Sequence, residues 1–401
     1  MPSILFINRV YPPESGATGR VLEYVAHGFV SAGWDVSVLT TAGERSDVGE
    51  EIRSRVKVIR VATGFSKRSL FARALAYALM IPSLLMKALL LPRADVVVTK
   101  TDPPMLLIIG PFLKLVKGSK LIHWAQDLYP EIAEEVGLLP KGGTGGMVTG
   151  LLRFLSTLSM RSHDLTLAVG RCMAERLEGR GIAQEKIRVI PNTGVEDDIV
   201  PVPHENNAFR KIHGLEGAFV IEYSGNLGRA HDFGTVLEGA RLLDQRGETG
   251  ILFLFVGSGA GEGVLRDEVA RTGLKNIRFL PPQPAGSLSE SLGAGDLHLV
   301  TMKSVMSGLV VPSKFYGVMA AARPCLFIGP EDSEVSRVIH EQGVGEVIAS
   351  GDAQALVMAI LRYRGAPEVT AQAGGRGRLF LKDENSLGLF LKCAADLVES
   401  P

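Results

Sequence analysis

Hydrophobic residues in this chain gather in short, nearly unbroken runs, and each run gives way to glycine and polar residues, often with a helical spacing behind them. The first cycle is "SILFINRVYPPESGATGRVLEYVAHGFVSAGWDVSVLT": an apolar strand, a loop around Gly16 and Gly19, a helical spacing stopped at Gly33, and a second strand over Trp34–Leu39. "FVIEYSGNLGRAHDFGTVLEGARLL" repeats the plan, with Phe219–Tyr223 as the strand and Gly225 and Gly228 in the turn. The runs "ILFLFVGSG", "NIRFLPP", "DLHLVT" and "PCLFIGP" continue it, each ending in loop residues. Strands that are apolar throughout are buried on both faces, which predicts an α/β protein with parallel sheets covered by helices.

A chain of 401 residues exceeds what one hydrophobic core serves, so two Rossmann-like domains are expected. The Pro-, Asn- and acid-rich stretch around Pro191–Asn207 reads as the linker, giving domains over 1–200 and 208–375. The last helical pattern, "NSLGLFLKCAADLV" within 376–401, is expected to pack back on the first domain. Composition is that of an ordinary globular protein, 46% hydrophobic and 21% charged. With 43 basic residues against 43 acidic ones the basic excess of a nucleic-acid binder is missing, and no nucleic-acid partner is expected. Cys172, Cys325 and Cys393 stand far apart without metal spacing, as reduced cytoplasmic thiols do. The start, "MPSILFINRVYPPE", has no basic leader region. Leu70–Leu91 is apolar but contains Arg73, Pro82 and Lys87, which disfavours a bilayer span. Two readings of it stay open: a helix laid on anionic lipid behind Lys67 and Arg68, or a buried helix pair of the core.

In open parallel sheets ligands sit at the carboxyl ends of strands, where the winding reverses, so the chemistry is sought in those loops. In "SGLVVPSKFYGVMAAARP", Pro312 and Ser313 read as a helix start, and Lys314 falls in the first turn. The helix dipole disfavours a cation there unless an anion is bound, and a diphosphate would meet Ser313, Lys314 and the free amides. A solvated lysine is the plain alternative, since the dipole penalty is only ~0.3–1 kcal/mol. "YPPESGATGR" is a second candidate anion loop without the spacing of a dinucleotide fingerprint, and a simple turn explains its glycines equally well. In "IHWAQDLYPEIAEE", Gln126, Asp127 and Glu131 follow the strand Lys120–Trp124. They are placed to orient a sugar or take a proton, unless Asp127 caps a helix with Pro130 and Glu131 as its partners. Arg229 and His231 in "YSGNLGRAHDFG" could stabilise charge on a departing phosphate or merely decorate a surface loop. The acidic run Glu196–Asp198 belongs to the linker, the eight histidines form no ligand set, and no metal is expected.

Taken in order, "YPPESGATGR", "QDLYPE", "IPNTGV", "YSGNLGRAHD", "FVGSGAG" and "VPSKFYGVMAAARP" resemble the retaining, nucleotide-sugar-dependent glycosyltransferases of family four, across nearly the whole chain. "QDLYPE", "YSGNLG" and "VPSKFYG" look most like the subgroup that builds bacterial surface polysaccharides, such as the colanic-acid and O-antigen N-acetylfucosamine-type transferases. The resemblance implies the GT-B fold, two Rossmann-like domains facing a central cleft. It implies transfer of a hexosyl or N-acetylhexosaminyl unit from a nucleoside diphosphate sugar, UDP favoured over GDP, to a polyprenyl-diphosphate-linked or glycan acceptor. The nucleotide sugar is then a substrate, with no cofactor, and the protein is expected in the cytoplasm, peripheral on the inner leaflet of the membrane. Carried onto this chain, Gly16 and Gly19 would face the donor phosphates and sugar, and Gln126 or Asp127 would replace a histidine common in the family. Asn226 and His231 stand at the offsets of the family's basic pair, with Arg229 as the available cation. Gly257 and the Phe279–Pro282 loop with Leu280 would hold the base, Ser313 and Lys314 the diphosphate, and Glu334 would approach the nucleotide. Gln126, Asp127, Arg229 and Lys314 are the expected catalytic residues. Two family glutamates eight positions apart correspond to Leu309 and Gly317 here. A nucleotide-sugar epimerase of the same fold, or a catalytically inactive nucleotide-sugar-binding scaffold, is the alternative.

Overall fold

The computed structural model describes residues 1–14, 16–62, 70–139, 142–194, 196–228 and 231–400, and only the backbone of residues 70–78 and 143–144. The chain divides into two compact units, Met1–Val195 with Asn385–Pro401, and Glu196–Glu384.

In the first unit, among the described residues, eight strands form one sheet: β1 (Ser3–Ile7), β2 (Asp35–Thr41), β3 (Gly49–Arg53), β4 (Val56–Val61), β5 (Val96–Thr99), β6 (Lys120–Ala125), β7 (Leu165–Ala168) and β8 (Ile187–Val189). Their order is β3-β4-β2-β1-β5-β6-β7-β8, and only β3 against β4 is antiparallel. The side chains explain the order. β5, VVVT, is buried along its whole length and belongs in the middle of a sheet covered on both faces. β3, GEEIR, is exposed throughout and stays at the edge. The winding runs outward from β1 in both directions, so a crevice forms between the carboxyl ends of β1 and β5.

One face of this sheet sets Leu5, Ile7, Leu39 and Val97 against Met80, Leu84 and Ala88. These last three come from the helix Leu70–Leu90, which runs through Pro82. Its spacing of four residues is that of a core stripe, so its described turns follow the buried reading on this face, while Leu79, Met86 and Leu90 stay exposed. Residues 63–69, with Lys67 and Arg68, lie outside the described residues. Among the described residues no helix is long and apolar enough to cross a membrane.

The other face is aromatic. Phe6, Phe29, Trp34 and Trp124 receive Phe390 from the helix Ser386–Glu399. The Phe390 ring lies edge-on at 5.0 Å from Trp124, 5.4 Å from Phe29 and 6.2 Å from Phe6. Thr193 and Ser386 hydroxyls join at 2.8 Å beside it. The chain's last helix is thus part of the first unit's core. The preceding helix Pro367–Asp383 belongs to the second unit: a Cβ at Gly374 would stand 2.0 Å from the Ala322 carbonyl oxygen. The return therefore falls at Asn385 rather than at the boundary of 376 read from the sequence.

In the second unit, among the described residues, β9 (Phe219–Ser224), β10 (Ile251–Val256), β11 (Ile277–Leu280), β12 (Leu297–Thr301), β13 (Cys325–Ile328) and β14 (Gly345–Ile348) form a parallel sheet ordered β11-β10-β9-β12-β13-β14. Here the winding reverses at β9. β9 and β12 pair only through Leu297↔Ile221 and His298↔Glu222, so their carboxyl ends part beyond that point.

Phe390→Ala removes a ring that three aromatic neighbours enclose. It is expected to destabilise the first unit by about 3–5 kcal/mol, read as an earlier denaturant midpoint, whereas an exposed neighbour such as Leu389→Ala should cost under about 1 kcal/mol.

Candidate functional site

Each reversal of winding carries one cluster of charged and polar groups. In the second unit the cluster is Tyr223, His231 and Lys314. β9 ends in Gly225 and β10 in Gly257, and their backbones touch: a Cβ at Gly257 would stand 2.0 Å from the Gly225 carbonyl oxygen. Gly225 has φ 133° and Gly257 φ 146°, a conformation that side chains resist, so glycine is required at both. The Gly257 amide donates to the Leu280 carbonyl at 3.0 Å and the Gly225 amide to that of Val256 at 2.9 Å. Gly257 and Leu280, expected to hold a base, are thus seen tying strand ends together. Asn226 contributes its carbonyl, which accepts the Tyr223 hydroxyl at 2.8 Å.

Lys314 opens the helix Lys314–Ala320, with Ser313 exposed just before it. Its ammonium hydrogen-bonds the Tyr223 hydroxyl, lies 3.9 Å from the Tyr223 ring centre and stands 3.4 Å from His231 Nε2. The other ring nitrogen, Nδ1, meets the Thr301 carbonyl at 2.7 Å; a carbonyl only accepts, so Nδ1 carries the hydrogen and Nε2 turns a lone pair to the lysine. Burial first, and the Lys314 charge second, lower the His231 pKa to about 4, which keeps the imidazole neutral. Burial alone pulls Lys314 down to about 7. No carboxylate opposes this lysine among the described residues. Such a group is an unanswered cation, and an anion would restore its charge. Arg229, expected beside it, lies outside the described residues. Glu334 is buried in the first turn of the helix Glu334–Gln342, behind the capping Ser333.

The two positions set against family glutamates in the sequence hold no carboxylate. Leu309 is 2% exposed, and a Cβ at Gly317 would meet Leu292 at 3.5 Å and Ile199 at 3.9 Å. A carboxylate at position 317 would start among hydrocarbon.

In the first unit the cluster is Arg9, Lys100, Asp102 and Asp127, at the crevice between β1 and β5. Arg9 grips Asp102 with two bonds, of 2.6 and 3.0 Å, and its carbonyl is held by Thr40 at 2.8 Å and Thr41 at 2.9 Å. Lys100 is fully buried, 4.0 Å above the Trp124 ring, and donates to the Thr18 carbonyl at 2.9 Å. It thereby ties the start of the helix Ala17–Ser31 to the sheet. Burial lowers its pKa to about 7, against the pull of Asp102 and Asp127. Asp127 is pushed up to about 6 by burial and then by Asp102, with Lys100 acting in the opposite sense. Its carboxyl makes no hydrogen bond among the described residues and is partly exposed. The capping alternative does not occur: the helix Glu131–Glu135 starts after Pro130, and Glu131 instead pairs with Arg153 at 3.0 Å. Gln126 is fixed by Asn192 at 3.2 Å. Gly16 and Gly19 serve close packing, since a Cβ on either would stand 3.0 Å from a Val10 methyl.

Lys100, Asp102 and Arg9 escaped the sequence reading. A lysine ending the valine run of β5, followed by "TDPP", is the signal that could have found Lys100 and Asp102, because a strand end at a reversal point seldom buries a cation without use. Among the described residues no group of histidine, cysteine or acidic side chains could hold a metal ion.

Two sheet units, each with a reversal of winding that carries a polar cluster, have the α/β architecture of the GT-B fold. Residues 16–193 match the glycosyl transferase 4-like domain family. A Pseudomonas aeruginosa protein named as the glycosyltransferase WbjE is 30% identical over 67% of this chain and 66% of its own length. An Escherichia coli (strain K12) protein named for colanic acid biosynthesis, the glycosyl transferase WcaI, is 26% identical over 71% of this chain and 70% of its own. The chain thus spans about two-thirds of the length of the curated relatives it matches. Among solved structures, Anabaena HepE in complex with UDP-glucose superposes with a TM-score of 0.72, covering 100% of both chains at 13% identity.

Two outcomes follow from the clusters. Burial pulls Lys314 down to about 7, so binding of a diphosphate to the charged lysine would take up a proton above that pH. Affinity for UDP, measured by calorimetry, should fall by up to about tenfold per unit from about pH 7 to about pH 9, and Lys314→Met should be weaker and flat over that range. In the first unit, Lys100→Met removes an attractive charge and should raise the Asp127 midpoint by about one unit, whereas Asp102→Asn should lower it; carboxyl NMR titration reads both.

Proposed function

We propose that this protein is a retaining glycosyltransferase that moves a hexosyl or N-acetylhexosaminyl unit from a nucleoside diphosphate sugar to a polyprenyl-diphosphate-linked or glycan acceptor in bacterial surface-glycan synthesis. The observation that carries the reading is Lys314, a desolvated lysine at a reversal point, beside a neutral histidine and opposed by no carboxylate among the described residues. A diphosphate supplies the missing negative charge. In the reaction the bond from the anomeric carbon to the diphosphate breaks and its electron pair leaves with the phosphate oxygen. The acceptor oxygen bonds to the same face of that carbon, and its proton passes to the departing phosphate. Lys314 holds the negative charge as it builds, and His231 Nε2 accepts a hydrogen bond from the ammonium and fixes its direction. In the first unit Asp127 is the group proposed to orient an acceptor hydroxyl, its open carboxyl steadied by Lys100. UDP is favoured over GDP because the solved neighbour of the same fold is a UDP-glucose complex. Surface glycan as the product class rests on the relative named for colanic acid biosynthesis. Location in the cytoplasm, on the inner leaflet, is part of the same proposal.

Incubation with UDP-, GDP- and dTDP-sugars and a short polyprenyl-diphosphate-linked sugar, followed by mass spectrometry, is the test. Release of nucleoside diphosphate with a lengthened acceptor of unchanged anomeric configuration is expected, and Lys314→Ala should slow it by about 10²–10³-fold while staying folded. Donor converted without any acceptor would assign an epimerase, binding without release a scaffold, and near wild-type turnover in Lys314→Ala would sink the role given to the lysine.

A further inference from the structure

One helix of the first unit is amphipathic in the wrong sense. Gly143–Ser162 turns Thr149, Ser156 and Ser159 inward, where they are at most 4% exposed. Their hydroxyls are satisfied by backbone: Ser159 donates to the Leu107 carbonyl at 2.7 Å, Ser156 to that of Tyr129 at 3.3 Å, and Thr149 to that of Gly145 at 3.1 Å. Its outer face is hydrocarbon, with Leu151 58%, Phe154 63% and Leu158 55% exposed. These residues recur at helical spacing, so they form one stripe. The helix Gly110–Lys117 packs beside it and continues the stripe with Phe112 55%, Leu115 85% and Val116 66% exposed. A soluble helix places these residue types the other way round, so the outer face is built for a cover.

Charge says what kind of cover. The two helices carry Lys114, Lys117, Arg153 and Arg161 and not one Asp or Glu. Lys114 and Arg153 are answered by acids of neighbouring segments, Asp164 and Glu131. Lys117 and Arg161, in the last turns of the two helices, bond only to backbone carbonyls among the described residues: Leu91 for Lys117, Gly181 and Arg180 for Arg161. An apolar stripe ended by free cations matches an anionic lipid surface, which takes hydrocarbon between its headgroups and cations among its phosphates. A second copy of the same face would set like charges against each other in a two-fold pair.

We infer that the face formed by Gly110–Lys117 and Gly143–Ser162 docks this protein on an anionic membrane surface, with Leu115, Leu151, Phe154 and Leu158 inserted and Lys117 and Arg161 on the phosphates. This places the contact away from the core stripe of Leu70–Leu90, on Gly110–Lys117, within the apolar run "MLLIIGPFLKLVKGSKLI" that the sequence already allows a membrane, and on Gly143–Ser162, which the sequence reading passed over. The inference gives the lipid-linked acceptor of the proposed reaction a surface on which to be met. It stands on surface chemistry alone, so vesicle binding and sugar transfer can fail independently.

The test is flotation of the full chain with vesicles of phosphatidylcholine, with and without phosphatidylglycerol. The wild type is expected to float with the anionic vesicles, less so as salt is raised. Leu151→Gln/Phe154→Gln/Leu158→Gln should lose binding by about tenfold or more, with an unchanged melting temperature because the residues are exposed. Lys117→Gln/Arg161→Gln should lose only the preference for phosphatidylglycerol. A wild type that stays with the soluble fraction would overturn the inference, as would a triple variant that floats like the wild type. A dimer by sedimentation that the triple variant turns into monomer, with no vesicle binding, would assign the face to a second copy. Transfer to a short water-soluble acceptor should be unchanged in both variants, which separates this result from the proposed chemistry.

Discussion

A parallel sheet wound outward from one strand cannot cover the place where it starts. At β1 against β5, and again at β9 against β12, neighbouring connections leave in opposite directions and the carboxyl ends of two strands stay uncapped. Everything chemical in this protein hangs on those two gaps. Side chains at the gaps sit on strand ends walled by apolar neighbours, which removes water from them, yet the missing connection leaves an approach from outside. That combination depresses a lysine and raises a carboxyl without any special device. The glycines of the second unit belong to the same constraint: β9 and β10 close to within a Cβ's width at Gly225 and Gly257, so the loops beside the gap can pass only as bare backbone.

The two gaps answer the same problem differently. Lys100 is buried with Asp102 and Asp127 near it, and the backbone carbonyl of Thr18 accepts a hydrogen bond from it. Its charge is balanced from within the unit, so its work is to hold the helix start and to restrain the proton affinity of Asp127. Lys314 has a phenol and a neutral imidazole, which accept hydrogen bonds and carry no charge. Both lysines are brought down to about 7, but Asp102 and Asp127 pull against burial at the first, and no carboxylate does so at the second among the described residues. This asymmetry, rather than burial, which is common to both, is what the proposed division between a positioning and a binding lysine rests on.

Much of this was legible beforehand, and the failures have physical reasons. Fully apolar strands such as VVVT announce a parallel sheet, and Pro312 with Ser313 announces the start of the helix that Lys314 opens, because both patterns are local. Asp127 was ambiguous in the sequence because a cap and an open carboxyl use the same residue. Only the start of the helix at Glu131, after Pro130, separates them. The closeness of Gly16 and Gly19 to Val10 was invisible as well, since it depends on how the segment after β1 turns. Lys100 was invisible because one lysine in a valine strand carries no pattern. The Gly143–Ser162 helix was passed over for the opposite reason. Its periodicity is clear, but periodicity does not say which face is inside, and here hydroxyls bonded to the Leu107, Tyr129 and Gly145 carbonyls reverse the usual answer.

The absence of carboxylates from positions 309 and 317 bears on how the proposed reaction would be driven. A glutamate near the donor binds sugar or ribose hydroxyls, but its charge also repels the diphosphate in the ground state and more so as that group departs. In this chain a side chain at Gly317 would meet Leu292 and Ile199, Leu309 is buried, and Lys314 stands beside a phenol and an imidazole that carry no charge. Such a site discriminates little among sugars by charge. It favours the state with the most negative phosphate, which is the transition state rather than the bound donor. Selection of the sugar then has to rest on hydroxyl and backbone contacts, whose directionality is strict but whose energy is small. In the proposed reaction, hydrocarbon in place of carboxylate would weaken the hold on the donor sugar and leave Lys314 to meet the charge of the departing diphosphate.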